Sequence, residues 1–288
     1  MPRQSWQPDL DCAIAQTVAL LGDGWSVLIV RDLARGRCRF DALAEGLAVS
    51  RKVLTERLGH LVEHDVVERV RYQERPPRYE YRLTSRGRAL IPLLVAMQDF
   101  GDRWLFGDGE LTGTASRGAP EAARVRSLVD TTLPWLQLPS TMDDRRDVVD
   151  ADARRTVLFG YPATGIPSPL PASWSTIPGA TGCTLENRLF RAAYPRFVAA
   201  GVAIHGVSTQ RPDEQLAFAE AEEIPFPLFS DSELALTAAL RLPTFRAIDT
   251  ERIKRVVLIL DPDRRIRAVR YPVTDIEATV NWALRLTA

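Results

Sequence analysis

The chain has 288 residues, 45% of them hydrophobic, and 37 Lys and Arg against 37 Asp and Glu give a formal net charge of zero. That length and apolar content predict two domains with a core each, and zero net charge excludes a global basic field, so any nucleic-acid contact must come from a local basic patch. Three widely spaced cysteines build neither a disulfide scaffold nor a zinc site, no apolar run approaches the roughly 20 residues that cross a bilayer, and the N-terminal Met-Pro-Arg-Gln-Ser-Trp lacks the apolar core of a signal peptide; a soluble, cytoplasmic protein with no membrane partner is expected.

In chain order, residues 12–33 carry apolar side chains at helical spacing (Ile14, Val18, Leu21, then Trp25, Leu28, Ile29), interrupted at Gly22-Asp23-Gly24, which predicts two helices. A short helix is predicted over 39–47. Ser50 is placed to cap a helix over 51–64, whose stripe Val53, Leu54, Leu58 and Leu61 packs inward. Strands are predicted over 66–72 and 79–83, joined by a basic loop at 73–78, and Thr84 caps a helical pattern reaching 105. Three helices followed by a two-stranded ribbon is the order of a winged helix-turn-helix, in which one helix enters the major groove and the ribbon tip lies against the backbone.

The residues that carry this pattern are Cys12, Leu21-Gly-Asp-Gly-Trp25, Ile29-Val-Arg-Asp-Leu33, Gly36, Arg39-Phe40, Ser50-Arg-Lys-Val-Leu-Thr-Glu-Arg-Leu58, Pro76-Pro-Arg-Tyr-Glu-Tyr-Arg-Leu-Thr84 and Gly87. Over about residues 9–106 they resemble the HxlR family of bacterial transcription regulators. The resemblance implies a homodimer whose interface uses the N- and C-terminal helices, and a double-stranded DNA operator of pseudo-palindromic form. Ser50, Arg51, Lys52 and Thr55 stand on the expected reading helix and Arg75 and Arg78 at the wing, where phosphates and base edges are within reach; Arg57 is equally consistent with a surface charge. His60 and His64 are four residues apart but lack acidic or cysteine co-ligands, so no metal is expected, and no cofactor is called for.

Residues 107–124 are rich in Gly, Ser, Thr and Ala and read as a linker between a domain at 1–106 and a second at 125–288. The second domain reads as alternating strands and helices, an α/β fold after the α+β winged helix. Its most informative stretch is 177–186, where Cys183 stands among small residues immediately before a helical pattern. A helix N-terminus favours thiolate and lowers a cysteine's pKa.

Gly182, Cys183 and Thr184, with Glu186, Phe190 and Arg191 after them, resemble the active-site loop of thioredoxin-fold peroxiredoxins, especially the Q-type branch. The resemblance runs over roughly 125–288, with 133–149 as the hairpin before the core, 156–162 and 201–209 as central strands, 226–231 as the turn before the next helix, and 242–245 and 254–261 as late strands. It implies that Cys183 is the nucleophile attacking peroxide, that backbone N–H groups at Gly182 and Cys183 are donors to it, and that Arg255 is the arginine held against it. Two departures stand out. The family's Pro-x-x-x-Thr/Ser-x-x-Cys has Ala180 three residues before Cys183, with the motif proline, Pro162, separated by the insertion 163–177, which leaves Thr181, Thr184 and Thr164 as the candidates for the hydroxyl. Where many members carry a resolving cysteine five residues on, this chain has Arg188. Glu186 reads as a helix-capping residue.

A sulfenic acid on Cys183 must then be resolved by Cys12, by Cys38 or by a small-thiol or thioredoxin-type reductant; Cys38, flanked by Arg37 and Arg39, is open to a lowered pKa but reads first as incidental. Three functions stay open: a redox-responsive transcription regulator that senses peroxide or thiol state, a thiol-dependent peroxidase that carries a DNA-binding domain, and a regulator whose redoxin domain binds a ligand without chemistry.

Overall fold

A computed structural model describes residues 11–287; the N-terminal segment read as lacking a signal peptide and the first ten residues of the expected winged-helix domain lie outside the described residues. The chain divides into two compact units, Met1–Leu94 and Val95–Ala288.

In the first unit α1 (Ala13–Leu21) and α2 (Gly24–Ala34) are separated at Gly22, whose φ of 73° is a left-handed turn suited to glycine, and Asp23 caps α2 by accepting from the Ser26 N–H at 3.0 Å. α3 (Phe40–Leu47) follows, then α4 (Arg51–Glu63), which buries Leu54, Leu58 and Leu61. Ser50 Oγ accepts from the Val53 N–H at 3.3 Å, as a helix-starting serine should. The wing is β1 (Val67–Gln73) paired antiparallel with β2 (Arg78–Leu83). The single helix expected over 84–105 is instead three pieces: α5 (Ser85–Arg88), α6 (Ile91–Phe100), which runs on past Leu94 into the second unit, and a π-helical turn Gly101–Leu105 that belongs to the second unit. Two residues account for the first break. A Cβ on Gly87 would sit 2.1 Å from the Val66 carbonyl oxygen, so the chain is pinned against the strand there, and Pro92 lacks the N–H that would tie it to the preceding turn.

The second unit is built on a five-stranded sheet in the order β11-β10-β5-β6-β7, comprising β5 (Arg155–Gly160), β6 (Val202–Ser208), β7 (Leu228–Ser230), β10 (Val256–Leu260) and β11 (Ile266–Arg270). The β5, β6 and β7 strands run parallel, while β10 is antiparallel to both β5 and β11. Alternation across the pleat sorts the side chains. Val157, Phe159, Val257 and Ile259 pack with Phe190 and Phe197 of α8 (Cys183–Ala199) and Val280 and Ala283 of α11 (Ile276–Thr287). Leu158, Leu258 and Leu260 face the other way, onto Val125 of α7 (Pro120–Arg126) and Leu236 of α10 (Ala235–Leu240). A mixed sheet with helices on both faces is the α/β thioredoxin-like arrangement.

Smaller elements complete the unit. β3 (Gln137–Leu138) pairs with β4 (Arg146–Asp147) as the expected hairpin, α9 (Pro212–Ala221) packs Phe218 into the core, and β8 (Thr244–Ala247) pairs with β9 (Thr250–Ile253). The stretch read as a turn at 226–231 contributes strand β7, after which buried Asp231 accepts from the Leu236 and Thr237 N–H groups and so starts α10. Residues 107–124, read from composition as a linker, pack within this unit: the Gly113 N–H donates to the Pro178 carbonyl at 2.8 Å, and buried Glu121 pairs with Lys254 at 3.0 Å. Among the described residues, no single helix is long and apolar enough to cross a membrane.

Candidate thiol site and nucleic-acid interface

α8 begins at Cys183 because Gly182, at φ 98°, turns the chain in the left-handed region, where a side chain would be strained and its Cβ would meet Ile276 Cδ1 at 2.8 Å. Cys183 is therefore the first residue of a seventeen-residue helix and is 3% exposed. Its Sγ lies 3.5 Å from the Ala180 carbonyl, to which the thiol donates, and 3.5 Å from Arg255 Nη2. Arg255, immediately before β10, donates from the same nitrogen to the Thr181 carbonyl at 2.8 Å and from Nη1 to Glu186. Arg255 and Glu186 are both buried, which places a thiol, a guanidinium and a carboxylate in one enclosed cluster.

The electrostatics of this cluster differ from the expectation of a thiol already lowered by the helix end. Burial pushes the Cys183 thiol up; Arg255 and the Ala163 backbone pull it down, and Glu186 pushes it up again. Desolvation is the largest effect because the thiolate would stand out of water. Glu186 is likewise raised by burial against the pull of Arg255, and one of its oxygens, Oε1, has no hydrogen-bond partner. Glu186 does not cap α8, as its sequence position suggested; it turns inward to hold the arginine.

Of the three threonines considered for the missing hydroxyl, Thr164 is buried and its Oγ1 donates to Gln210 Oε1 at 3.2 Å, while Thr181 is exposed and offers its carbonyl to Arg255. Thr184 is half-buried in the first turn of α8, and Ala180 is fully buried beside the sulfur. The insertion 163–177 loops out and returns, so that Ala163, next to Pro162, lies against Cys183 although the two are twenty positions apart in the chain. Trp174 anchors the loop by donating from Nε1 to the Ala180 carbonyl at 3.2 Å. Arg188, at the usual resolving position, pairs with Glu222 at 2.7 Å. One residue escaped the sequence reading: Arg252 of β9 is half-buried, its Nε has no partner, and its charge acts on Cys183. The hairpin β8–β9 brings it there, and no local pattern in the sequence signals that.

In the first unit Ser50, Arg51, Lys52, Thr55, Arg75 and Arg78 are all exposed. Arg51 pairs with Asp41 at 2.7 Å and its guanidinium lies 4.8 Å from the Phe40 ring centre; the Thr55 hydroxyl donates to the Arg51 carbonyl at 2.8 Å. Arg57, in contrast, pairs with Asp23 at 2.9 Å and so ties α4 to the α2 cap. His60 bonds the Leu20 carbonyl at 2.8 Å and His64 the His60 carbonyl at 2.9 Å. Cys12 caps α1, its Sγ accepting from the Ala15 N–H at 3.5 Å. Cys38 is raised by burial and by Glu80, which removes the alternative of a thiol lowered by its neighbours: Arg39 is engaged with Glu80 at 3.4 Å and Arg37 with Asp32 at 2.8 Å.

The HxlR-like helix-turn-helix model matches residues 20–108. A stretch of 95 residues is 44% identical to an uncharacterised HTH-type transcriptional regulator of Synechocystis, covering 33% of this chain and 70% of that protein. The chain belongs to the HxlR-like helix-turn-helix family. An uncharacterised HTH-type regulator of Mycobacterium tuberculosis is 39% identical over 93 residues, 32% of this chain and 59% of its own length. The HTH-type transcriptional regulator YodB of Bacillus subtilis is 37% identical over 87 residues, 30% of this chain and 78% of that one. Residues 175–269 match the AhpC/TSA family model. A solved structure of peroxidoxin BcpB from Mycobacterium tuberculosis is similar at 24% identity and a TM-score of 0.46, over 55% of this chain and 95% of that one. The protein thus joins a helix-turn-helix regulator domain of the HxlR type to a peroxiredoxin-like domain.

Proposed function

We propose that the protein is a redox-responsive transcription regulator: a homodimer that binds a pseudo-palindromic operator through α4 and the β1–β2 wing, and whose peroxiredoxin-like domain senses peroxide through Cys183. The observation that carries this reading is the Arg255 guanidinium 3.5 Å from a cysteine at the first position of a long helix. Thiolate attack on a peroxide oxygen breaks the O–O bond, leaves a sulfenic acid on sulfur and releases water or an alcohol. Arg255 and the Ala163 N–H stabilise the sulfur's negative charge, and the cation is also placed to meet charge growing on the leaving oxygen.

Sensing is favoured over rapid peroxidase turnover by two features. Burial holds much of the sulfur as thiol, and the resolving position is an arginine in an ion pair. Of the remaining thiols, Cys38 has a raised pKa, which leaves Cys12 or a small-thiol or thioredoxin-type reductant as the better resolver. Cys12 starts a helix that buries none of its own side chains and exposes Ile14 and Val18, an apolar face suited to a dimer contact.

The thiol assignment is tested by adding one equivalent of peroxide to the reduced chain and trapping with a dimedone-type probe. Cys183 is expected to carry the label; labelling of Cys12 or Cys38 in its place contradicts the assignment. On the DNA side, Arg51→Ala and Lys52→Ala should each weaken operator binding by roughly 1–3 kcal/mol per lost base contact, and Arg78→Ala should chiefly reduce the salt dependence. Equal operator affinity of the wild type and an Arg51/Lys52 double alanine variant would contradict the interface.

A further inference from the structure

The second unit contains a cavity of about 420 Å³ walled by the end of α6, the 106–121 segment, the start of β8 and Lys254, away from the sulfur of Cys183. Its charges are unequally matched. Asp102 is neutralised by Arg124 at 2.7 and 2.5 Å, and Glu121 by Lys254 at 3.0 Å with a further bond from the Tyr271 hydroxyl at 2.6 Å. Arg103 is drawn aside, its Nε donating to the Gly109 carbonyl at 2.6 Å and its guanidinium 4.9 Å from the Trp104 ring centre. Asp99 makes no ion pair with any described residue. Two hydroxyls complete the wall: Thr114 Oγ1 is buried without a hydrogen-bond partner, and Thr244, 1% exposed, has only the Glu251 carboxylate beside it, to which its O–H points, leaving its oxygen free to accept. Buried hydroxyl oxygens are rarely left without a partner, so two of them lining a cavity beside a carboxyl that has no ion pair of its own suit a ligand that donates to all three. Phe106 and Phe245 supply apolar wall for the rest of such a ligand.

We propose that this cavity is a binding site for a small aliphatic ammonium compound, its charged nitrogen donating to the Asp99 carboxylate and the Thr244 hydroxyl while its hydrocarbon part lies against the phenylalanines. An anion is disfavoured because the wall sets the carboxyls of Asp99, Asp102, Asp108, Glu110 and Glu121 against only Arg103 and Lys254, and Lys254 is already paired with Glu121. The charges facing Asp99 are Glu251, Lys254, Arg103 and Asp102, and burial together with Glu251 raises Asp99 to about 6, so the carboxyl is ionised and able to receive a cation in mildly alkaline buffer. The strap that forms one wall also supports the thiol loop. Gly113 donates to the Pro178 carbonyl, and a Cβ on Gly179 would stand 2.7 Å from Thr114 Cβ, so an occupant of the cavity presses on the segment that leads to Ala180 and Cys183. The binding proposal is independent of the chemistry assigned to Cys183.

Calorimetric titration of the full chain at about pH 8 with n-butylamine and with putrescine is the test, with butyrate as the anionic counterpart of similar length. At least one amine is expected to give a saturable isotherm and butyrate none. Asp99→Asn, checked for fold by circular dichroism, is expected to weaken amine binding about tenfold or more, the scale of one lost charge-assisted bond. Thr244→Val removes an acceptor without changing charge and should weaken it several-fold. The absence of saturation by either amine, isotherms unchanged in both variants, or saturation by butyrate in place of the amines would each overturn the proposal.

Discussion

Each half of the molecule buries a carboxylate against arginine, and the two are built differently. In the first unit Asp32 is fully buried, yet both its oxygens are paired, with Arg31 and Arg37 each at 2.8 Å and Arg35 at 3.7 Å, and all three arginines keep part of their side chains in water. In the second unit Glu186 has a single arginine, itself enclosed, and keeps Oε1 without a partner. The other terminal nitrogen of Arg255 is shared between the Thr181 carbonyl and the Cys183 sulfur. A carboxylate with redundant, partly hydrated cations is a structural tie. One that holds a single buried cation against a nucleophile gives up stability to position charge, which is how reactive sites commonly differ from structural ones.

The largest effect that can break this comparison comes from Arg255→Met. It leaves Glu186 buried without its cation and should cost about 3–5 kcal/mol in urea unfolding at mildly alkaline pH, together with loss of Cys183 labelling. The deficit should shrink in acid, because the abandoned carboxyl then takes up a proton. A deficit independent of pH would show that Glu186 is not the group left uncompensated.

Glu186→Gln comes next. Burial raises this carboxyl above its ordinary 4.5, so the native state holds the proton more tightly than the unfolded chain does, and the associated stability is present below pH 4.5 and lost as pH rises through the higher folded value. The glutamine variant should flatten that decline while keeping an oxygen for Arg255. Removing the negative charge should also lower the Cys183 pKa and raise its alkylation rate at neutral pH several-fold, the reverse of the usual loss on mutating a site residue. An unchanged or slower rate would place Glu186 outside the electrostatics of the thiol. The smallest effect is expected at the other cluster. Arg37→Met leaves Arg31 and Arg35 on Oδ1 of Asp32 but strips Oδ2, and should cost about 1–3 kcal/mol by urea unfolding; a loss matching that of Arg255→Met would erase the distinction.

What was legible beforehand follows from how local each signal is. The α4 stripe of Leu54, Leu58 and Leu61 and the Ser50 and Thr84 caps are set by spacing within a few residues, so they could be read directly. The nearness of Arg255 to Cys183 came from family motifs, because 72 residues separate them and no periodicity reports on it. Three features were not legible. The depth of the thiol depends on α11 and the returning 163–177 loop, and the approach of Arg252 depends on a hairpin. The packing of 107–124 depends on Lys254 and Pro178, far along the chain, against a composition that suits an open linker.

The central claim is that oxidation of Cys183 is reported on DNA. Fluorescence anisotropy of a labelled operator, titrated with reduced protein and with protein treated with one equivalent of peroxide, measures this directly when run beside Cys183→Ser. The account predicts a clear shift in operator affinity on oxidation of the wild type, reversed by added thiol and absent in the serine variant, which should keep its fold and its reduced-state affinity because one atom of a small side chain changes. Equal affinity of reduced and oxidised wild type, with a sulfenic acid trapped on Cys183 in the same sample, would contradict it.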